Sequence, residues 1–272
     1  MSKRDAYEPG VPSWVDTLQP DVDAALAFYG GLFGWDFAGP SEMPSDPPGR
    51  YFVARLHGRD IAGIGSQVPG APASPSFTMY VTVRSADEAA ANAQAAGGAV
   101  INEPFDTPPA GRMAVLADPG GAVFCVWEPG QRQGAQLVNE PGAWSMSQLN
   151  TPDPDAAAAF YGAVFGWTTE MFGPITMFRL PGYVGGEPHQ PVSREVVALM
   201  SAAEAGVPPH WSANFWDHDV DATAAKAVEL GGAAVAEPFD TPISRMAVIA
   251  DPHGVSFSIA NVPAQATETG VK

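Results

Sequence analysis

The residues that could do chemistry are few, and none stands in a familiar catalytic spacing. Cys125 is the only cysteine in the chain of 272 residues. It has no histidine partner by sequence, and no Gly-x-Ser-x-Gly elbow occurs. Cys125 therefore reads as a buried, inert thiol rather than a nucleophile. His210 and His218 are eight residues apart, across a strand and its exit, and read as scattered surface histidines. The Gly-Gly pairs at 97–98 and 231–232 follow helices, so they read as caps, without the strand-to-helix geometry of a phosphate loop. Asp16 is the acid of most interest. On a strand rich in apolar residues it could attract a cationic amine, or act as a general base if its pKa is raised.

Strand alternation places every second residue on one face. If Trp14 faces inward, so do Asp16 and Leu18; Met146, Gln148 and Asn150 take the same places later in the chain. Thr78, Tyr80 and Thr82 match Ser212, Asn214 and Trp216. Val123, Cys125 and Trp127 match Ser256, Ser258 and Ala260. The first set is aromatic with one carboxylate. The second carries amides, hydroxyls, a thioether and one indole. Such a mixture suits a flat, partly polar organic molecule, with rings for stacking and a few polar groups for orientation.

The elements that must position these side chains are written twice. Asp21 to Trp35, DVDAALAFYGGLFGW, returns as Asp153 to Trp167, DPDAAAAFYGAVFGW. EPFDTP at 103–108 returns at 237–242, and RMAVLADP at 112–119 returns as RMAVIADP at 245–252. Offsets of 132 to 134 residues mark a duplicated domain, because solenoid repeats recur every ~20–50 residues. Asp21 is a plausible N-cap, and Gly34 ends the helix at a left-handed position. Phe28, Tyr29, Phe33 and Trp35, with Phe160, Tyr161, Phe165 and Trp167, are expected to pack helix on sheet. Arg112 and Arg245 open equivalent strands and are placed to pair with Asp106 and Asp240. Each half reads β-α-β-β-β twice, giving four βαβββ modules of an α+β protein. The expected boundaries are 11–129 for the first domain, 130–142 for a Gly/Gln/Pro-rich linker and 143–262 for the second. Residues 39–50 are expected to be a proline-rich loop, and residues 1–9 and 264–272 to be loose.

The formal charge is -17, with 30 acids against 13 bases, which repels phosphate backbones and argues against nucleic acid as a partner. One cysteine permits no internal disulfide, which suits a reducing compartment. No apolar run approaches a signal sequence or the ~20 residues of a membrane helix. A cytoplasmic protein with no membrane partner is expected.

The βαβββ pattern, the D-x-x-x-A-x-x-FY-x-x-x-FGW helix and the closing turns at Asp118-Pro119-Gly120-Gly121 and Asp251-Pro252-His253-Gly254 resemble the vicinal oxygen chelate superfamily. That superfamily includes glyoxalase I, extradiol dioxygenases and bleomycin resistance proteins. The tandem arrangement is similar to actinobacterial glyoxalase-like proteins often labelled hydroxylases and often found beside antibiotic pathways. The resemblance implies a curved eight-stranded sheet in each domain, cupped around a cavity, with a divalent metal in the metal-dependent members. The positions it assigns to metal ligands hold Trp14, Thr78 and Cys125 in the first half and Met146, Ser212 and Ser258 in the second. Gly63 and Ala198 lie near the fourth position, with Asp60 and Glu195 three residues before them. Indole, thioether and hydroxyl groups do not make a site for a divalent ion. No metal and no other cofactor is expected.

The expected function is metal-free binding of a flat hydrophobic or aromatic, polyketide-like molecule, for sequestration, resistance or assistance to a biosynthetic enzyme. The alternative is a cofactor-independent hydroxylase or lyase/isomerase, with Asp16 or Tyr80 transferring a proton. A metal-dependent glyoxalase or dioxygenase ranks last. Since the tandem supplies both halves of an internal pseudo-dimer, a monomer is expected.

Overall fold

A computed structural model describes residues 2–43, 48–70, 76–183, 195–203, 206–241 and 244–261. The first half runs β1 (Ser2–Lys3), β2 (Pro12–Gln19), α1 (Val22–Phe33), β3 (Asp36–Met43), β4 (Gly49–Leu56), β5 (Arg59–Ser66), β6 (Thr78–Thr82), α2 (Ala86–Ala95), β7 (Ala99–Thr107), β8 (Gly111–Ala117) and β9 (Val123–Pro129). After β10 (Leu137–Val138), the second half runs β11 (Trp144–Thr151), α3 (Pro154–Phe165), β12 (Thr168–Phe172), β13 (Ile175–Arg179), β14 (Val196–Ala202), β15 (His210–Trp216), α4 (Val220–Glu229), β16 (Ala233–Asp240), β17 (Arg245–Ala250) and β18 (Ser256–Asn261).

Each half closes its own curled eight-stranded sheet. The orders are β3-β4-β5-β2-β6-β9-β8-β7 and β12-β13-β14-β11-β15-β18-β17-β16. In each module the first strand lies parallel to the last, as β2 does to β5 and β6 to β9. The antiparallel pair β2–β6 joins the two modules of the first half, and β11–β15 those of the second. Two tandem domains of two βαβββ modules each are therefore present, as the repeats predict.

Local chemistry sets the helix ends. Asp21 accepts from the amide of Ala24 at 3.1 Å, and Asp153 from that of Ala156 at 3.0 Å, so each satisfies an orphan donor of the first turn. Gly34 and Gly166 end their helices at φ 71° and 73°, where a side chain would be strained. Arg112 pairs with Asp106 at 2.9 Å and also with Asp87 in the first turn of α2. Arg245 does the same with Asp240 and Asp221.

The core lies between the two sheets. One apolar cluster joins Val15, Phe28, Tyr29, Trp35 and Phe77 of the first half to Phe215, Ala224, Ile249 and Phe257 of the second. The other joins Met79, Ala90, Leu116 and Phe124 to Phe160, Tyr161, Trp167, Phe178 and Trp211. The repeated helix aromatics thus pack against the other domain as well as their own. Tyr29 donates to Asp251 at 3.0 Å and Tyr161 to Asp118 at 3.2 Å. Trp35 donates to the Gly142 carbonyl and Trp167 to that of Gly10, both at 2.7 Å. These contacts relate the halves by a pseudo-twofold axis. At the ends of α2 and α4 the second glycine of each pair makes room for the opposite helix. A Cβ on Gly98 would lie 2.7 Å from the Phe160 ring, and one on Gly232 would lie 2.9 Å from that of Phe28.

Two expectations are corrected. The proline-rich stretch is not all loop: residues 39–43 continue β3, and β4 begins at Gly49. Pro40 is tolerated because β3 is an edge strand and the register shifts between Ala38 and Ser41, so its missing N–H interrupts no regular ladder. The N-terminal arm is not loose. Ser2–Lys3 pairs antiparallel with Leu137–Val138, the Arg4 amide donates to the Gln136 carbonyl, and the Tyr7 hydroxyl donates to that of Ala135 at 2.7 Å. Polar composition hid a two-stranded ribbon that fastens arm to linker. Residues 264–272 lie outside the described residues.

The hydrogen bonds across the interface predict unequal consequences. Tyr161 also accepts from the buried Trp211 indole N–H at 2.8 Å, whereas Asp251 keeps a second donor, Gln19, at 2.7 Å. Tyr161→Phe therefore leaves a buried donor unpaired and is expected to lower stability by about 2 kcal/mol, against about 1 kcal/mol or less for Tyr29→Phe. Urea denaturation of the two variants reads the difference; equal effects would contradict the asymmetry.

Candidate functional site

The concave faces of the two sheets differ. In the first, Trp14 pairs across β2–β6 with Tyr80, and Tyr80 lies beside Cys125 on β9. Asp16 lies opposite Thr78 and beside Gly63. The floor is shut by the protein's own side chains: Trp14, Asp16, Tyr80, Cys125 and Trp127 are all buried, Asp16 to 3% exposure. Leu18 and Thr78 stand further out and are half-buried.

One side chain the alternation argument missed holds this floor together. Tyr51 on β4 accepts from the Trp14 indole at 2.9 Å and donates to Asp16 Oδ2 at 3.0 Å. Tyr80 donates to the same oxygen at 2.7 Å. Tyr51 fits only because its neighbours on β5 are glycines. A Cβ on Gly63 would fall 1.9 Å from its hydroxyl, and one on Gly65 would be 3.0 Å from its ring. An aromatic residue paired in register with a Gly-x-Gly strand is the sequence signal that could have found it. The linker residue Arg132 was also missed. Its guanidinium lies 5.5 Å from the Trp14 ring centre and bonds Asp60 at 3.1 Å, while its carbonyl accepts from the Trp127 indole at 2.9 Å.

Burial raises the Asp16 carboxyl from 3.8 to about 6, and the hydrogen bonds from Tyr80 and Tyr51 offset part of that penalty. Burial and the Asp16 charge push the Tyr51, Tyr80 and Cys125 groups well above their ordinary values. Cys125 is thus held as a thiol. The tyrosines are donors, and Asp16 is the one group here poised to change charge near neutral pH.

The second concave face is open by comparison. Met146, Gln148, Asn150, Ser212, Asn214, Trp216 and Ser258 are all half-buried. Register places Gln148 between Ser212 and Leu199, and Asn214 between Met146 and Ser258. Met177 lies beside Leu199, and Val248 beside Ser258. At the sheet's two ends, Phe172 and Phe239 stand 45% and 42% exposed. The amides are oriented by one another: Gln148 Nε2 donates to Ser201 Oγ at 2.9 Å and Asn150 Oδ1 at 3.2 Å, and Asn150 Nδ2 donates to Ser212 Oγ at 3.2 Å. His210, set apart as a surface residue by sequence, is half-buried with Nε2 3.4 Å from Asn150 Nδ2. Its Nδ1 lies 2.9 Å from the Pro208 carbonyl, so the tautomer that satisfies both contacts carries its proton on Nδ1. His218 is exposed. The strand pattern did not reveal Ser201 or Leu199, whose register against β11 follows from the parallel crossover, nor Met177, which is placed only through Leu199.

Two curled βαβββ sheets joined through a pseudo-twofold interface define a tandem glyoxalase-type protein. Comparison with known proteins is specific. Residues 13–126 match the family described as the glyoxalase/bleomycin resistance protein/dioxygenase superfamily, and residues 146–260 match the glyoxalase-like domain. The chain belongs to this superfamily. It is 38% identical over 262 residues to CFP32 of Mycobacterium tuberculosis, which carries a glyoxylase name, covering 95% of this chain and 97% of that one. It is 36% identical over 273 residues to the anthracycline biosynthesis protein DnrV of Streptomyces peucetius, covering 94% of each. Among solved structures, the Mn(II)-bound glyoxalase from Novosphingobium aromaticivorans superposes with a TM-score of 0.63 at 17% identity, covering 93% of this chain and 82% of that one. The fold is shared at that distance. No helix among the described residues is long and apolar enough to cross a membrane.

Superfamily membership raises the question of a metal, and the donor set does not fit one. Among the described residues no three His, Cys, Asp or Glu side chains converge. The nearest acids, Asp60 on β5 and Glu195 just before β14, are engaged elsewhere: Asp60 pairs with Arg55 and Arg132, and Glu195 with Arg179. Asp16 and Cys125 alone do not make a divalent shell.

The raised Asp16 pKa makes a pH prediction. Its pKa is higher folded than unfolded, so the native state binds more protons between about pH 4 and pH 6. Stability from this group falls as pH rises through that window, by about 3 kcal/mol for a shift of this size. Asp16→Asn removes the titration. The stability of the variant relative to wild type is expected to rise by about that amount from pH 4 to pH 7, measured by denaturant titration at both pH values.

Proposed function

We propose that the chain is a metal-free binding protein whose second cup receives a flat, largely apolar polycyclic molecule with a hydrogen-bonding edge. The observation that carries this reading is the contrast between the cups. The first is shut by its own aromatic residues, while the second presents half-buried amides, hydroxyls, the Met146 thioether and one indole on a single face. A planar ring can lie on Trp216 and Met146, and carbonyl or hydroxyl substituents can meet Gln148, Asn150, Ser212 and Asn214. Similarity along nearly the whole chain to proteins named for anthracycline biosynthesis favours an aromatic polyketide as the ligand class. The role is then to sequester such a molecule or to present it to a biosynthetic enzyme. The pseudo-twofold contact between the halves supports a chain that works as a monomer.

A second reading rests on Asp16. A buried carboxylate with a pKa near 6, held by two phenols, suits a proton-transfer group of a cofactor-independent enzyme. Ligand would reach it only after the floor opens.

Titration with 1,4-dihydroxyanthraquinone, read by tryptophan fluorescence and calorimetry, tests the first reading. One site per chain is expected, unaffected by dialysis against EDTA, with affinity reduced at least tenfold in Trp216→Ala and unchanged in Asp16→Asn. Absence of saturable binding, or binding insensitive to Trp216, would overturn it.

A further inference from the structure

The N-terminal arm contributes to a small cavity that shares one side chain, Met146, with the concave face of the second sheet. Met146, whose neighbours line the cup, also lines this cavity, with Ser145 and Val197 of the same sheet. Tyr183, between β13 and β14, belongs to the same domain, while Arg4 and Tyr7 come from the arm, Val11 and Pro12 from the first domain, and Val138 and Asn139 from the linker. The space measures about 50 Å³, enough for a few water-sized atoms and too small for a ring.

Arg4 is the unusual member. In a chain of charge -17, arginines 50, 55, 112, 132, 179 and 245 each hold a carboxylate, while Arg59 and Arg84 pair with none among the described residues but have no buried unpartnered nitrogen. Arg4 holds none among the described residues, and its Nε–H is buried without an acceptor. Its position is fixed, because the adjacent residues pair in the ribbon and its amide donates to Gln136. The Tyr7 hydroxyl beside it is already committed to the Ala135 carbonyl. Arg4 is half-buried, and its buried Nε–H beside a small cavity is the kind of donor that a carboxylate oxygen satisfies.

We infer that this cavity takes a carboxylate borne by the ligand whose rings lie in the second cup, with Arg4 as its counter-ion. This inference rests on the binding reading given above and adds a charge requirement to it. The arm then becomes part of the site, so that recognition of the acidic substituent depends on a segment outside both repeats.

Anthraquinone-2-carboxylate and anthraquinone-2-carboxamide share their rings and differ in charge, and calorimetry on the full chain at pH 7.5 compares them. Wild type is expected to bind the carboxylate at least tenfold more tightly than the amide. Arg4→Gln should abolish that preference while leaving the amide's affinity unchanged. Arg84→Gln, which removes the same charge from an exposed position, should keep it. Equal binding of the two probes by wild type, a preference surviving in Arg4→Gln, or its loss in Arg84→Gln would overturn the inference while leaving the cup reading intact. Failure of both probes to bind would instead remove the cup reading, and the inference with it.

Discussion

The structure depends on a hydrogen bond made twice between the domains, from the tyrosine of each repeated helix to the aspartate of the other domain's closing turn. Asp118 and Asp251 accept amide donors from their own turns, at Ala122 and Val255, and so fix the hairpin before the last strand. The same carboxylates then accept Tyr161 and Tyr29 from across the interface. A group that shapes a turn locally therefore also fixes how the sheets stand back to back. Burial pushes Asp118 upward, against several hydrogen bonds that hold it down. Unpaired carboxylates at this depth would be strongly destabilising, which ties each turn to its partner helix.

That interface accounts for what the two copies kept and what they changed. The Phe-Tyr and Phe-Gly-Trp aromatics, the paired glycines and the Asp-Pro turns all serve it, and they recur in both halves. The concave faces are under no such constraint, and there the copies diverge. Trp14, Asp16 and Tyr80 correspond to Met146, Gln148 and Asn214. In the first cup the aromatic residues and one carboxylate close on each other with Tyr51 as the keystone. In the second, the amides of Gln148 and Asn150 bond each other and the hydroxyls of Ser201 and Ser212 along the sheet. Duplication has left one interior tightly packed and the other available.

The fold was legible in the sequence because it is specified by repeated, local signals: caps at Asp21 and Asp153, left-handed glycines at 34 and 166, and alternation on the strands. The candidate site was legible only in part. Alternation named the residues on β2, β6, β9 and their counterparts, but it could not show that Trp14, Asp16, Tyr80, Cys125 and Trp127 would be sealed in while their counterparts Met146, Gln148, Asn214 and Ser258 stayed half-buried. That difference arises from Tyr51 and Arg132, which reach the first cup from an edge-side strand and from the linker. Long-range register and a single guanidinium stacking on Trp14 leave little trace in a one-dimensional pattern. The proline-rich stretch and the polar arm misled for a related reason: composition reports the average preference of a segment, and pairing with a distant strand overrides it.

The arm shows how such an override extends the architecture. Ser2–Lys3 and Leu137–Val138 form only a two-stranded ribbon, a unit that is marginal alone. It persists here because Tyr7 and Arg4 bond the linker backbone at Ala135 and Gln136, and because the linker is itself anchored by Trp35 at Gly142. The segment joining the two domains is thus held along its length by groups from the first domain and from the arm. Linker order in turn places Asn139 and Arg4 around a small cavity that Met146 of the second sheet also lines. The pseudo-twofold axis relates the two sheets but not this ribbon. Asymmetry between the cups therefore has two independent sources, the packing of Tyr51 in one and the docking of the arm beside Met146 of the other.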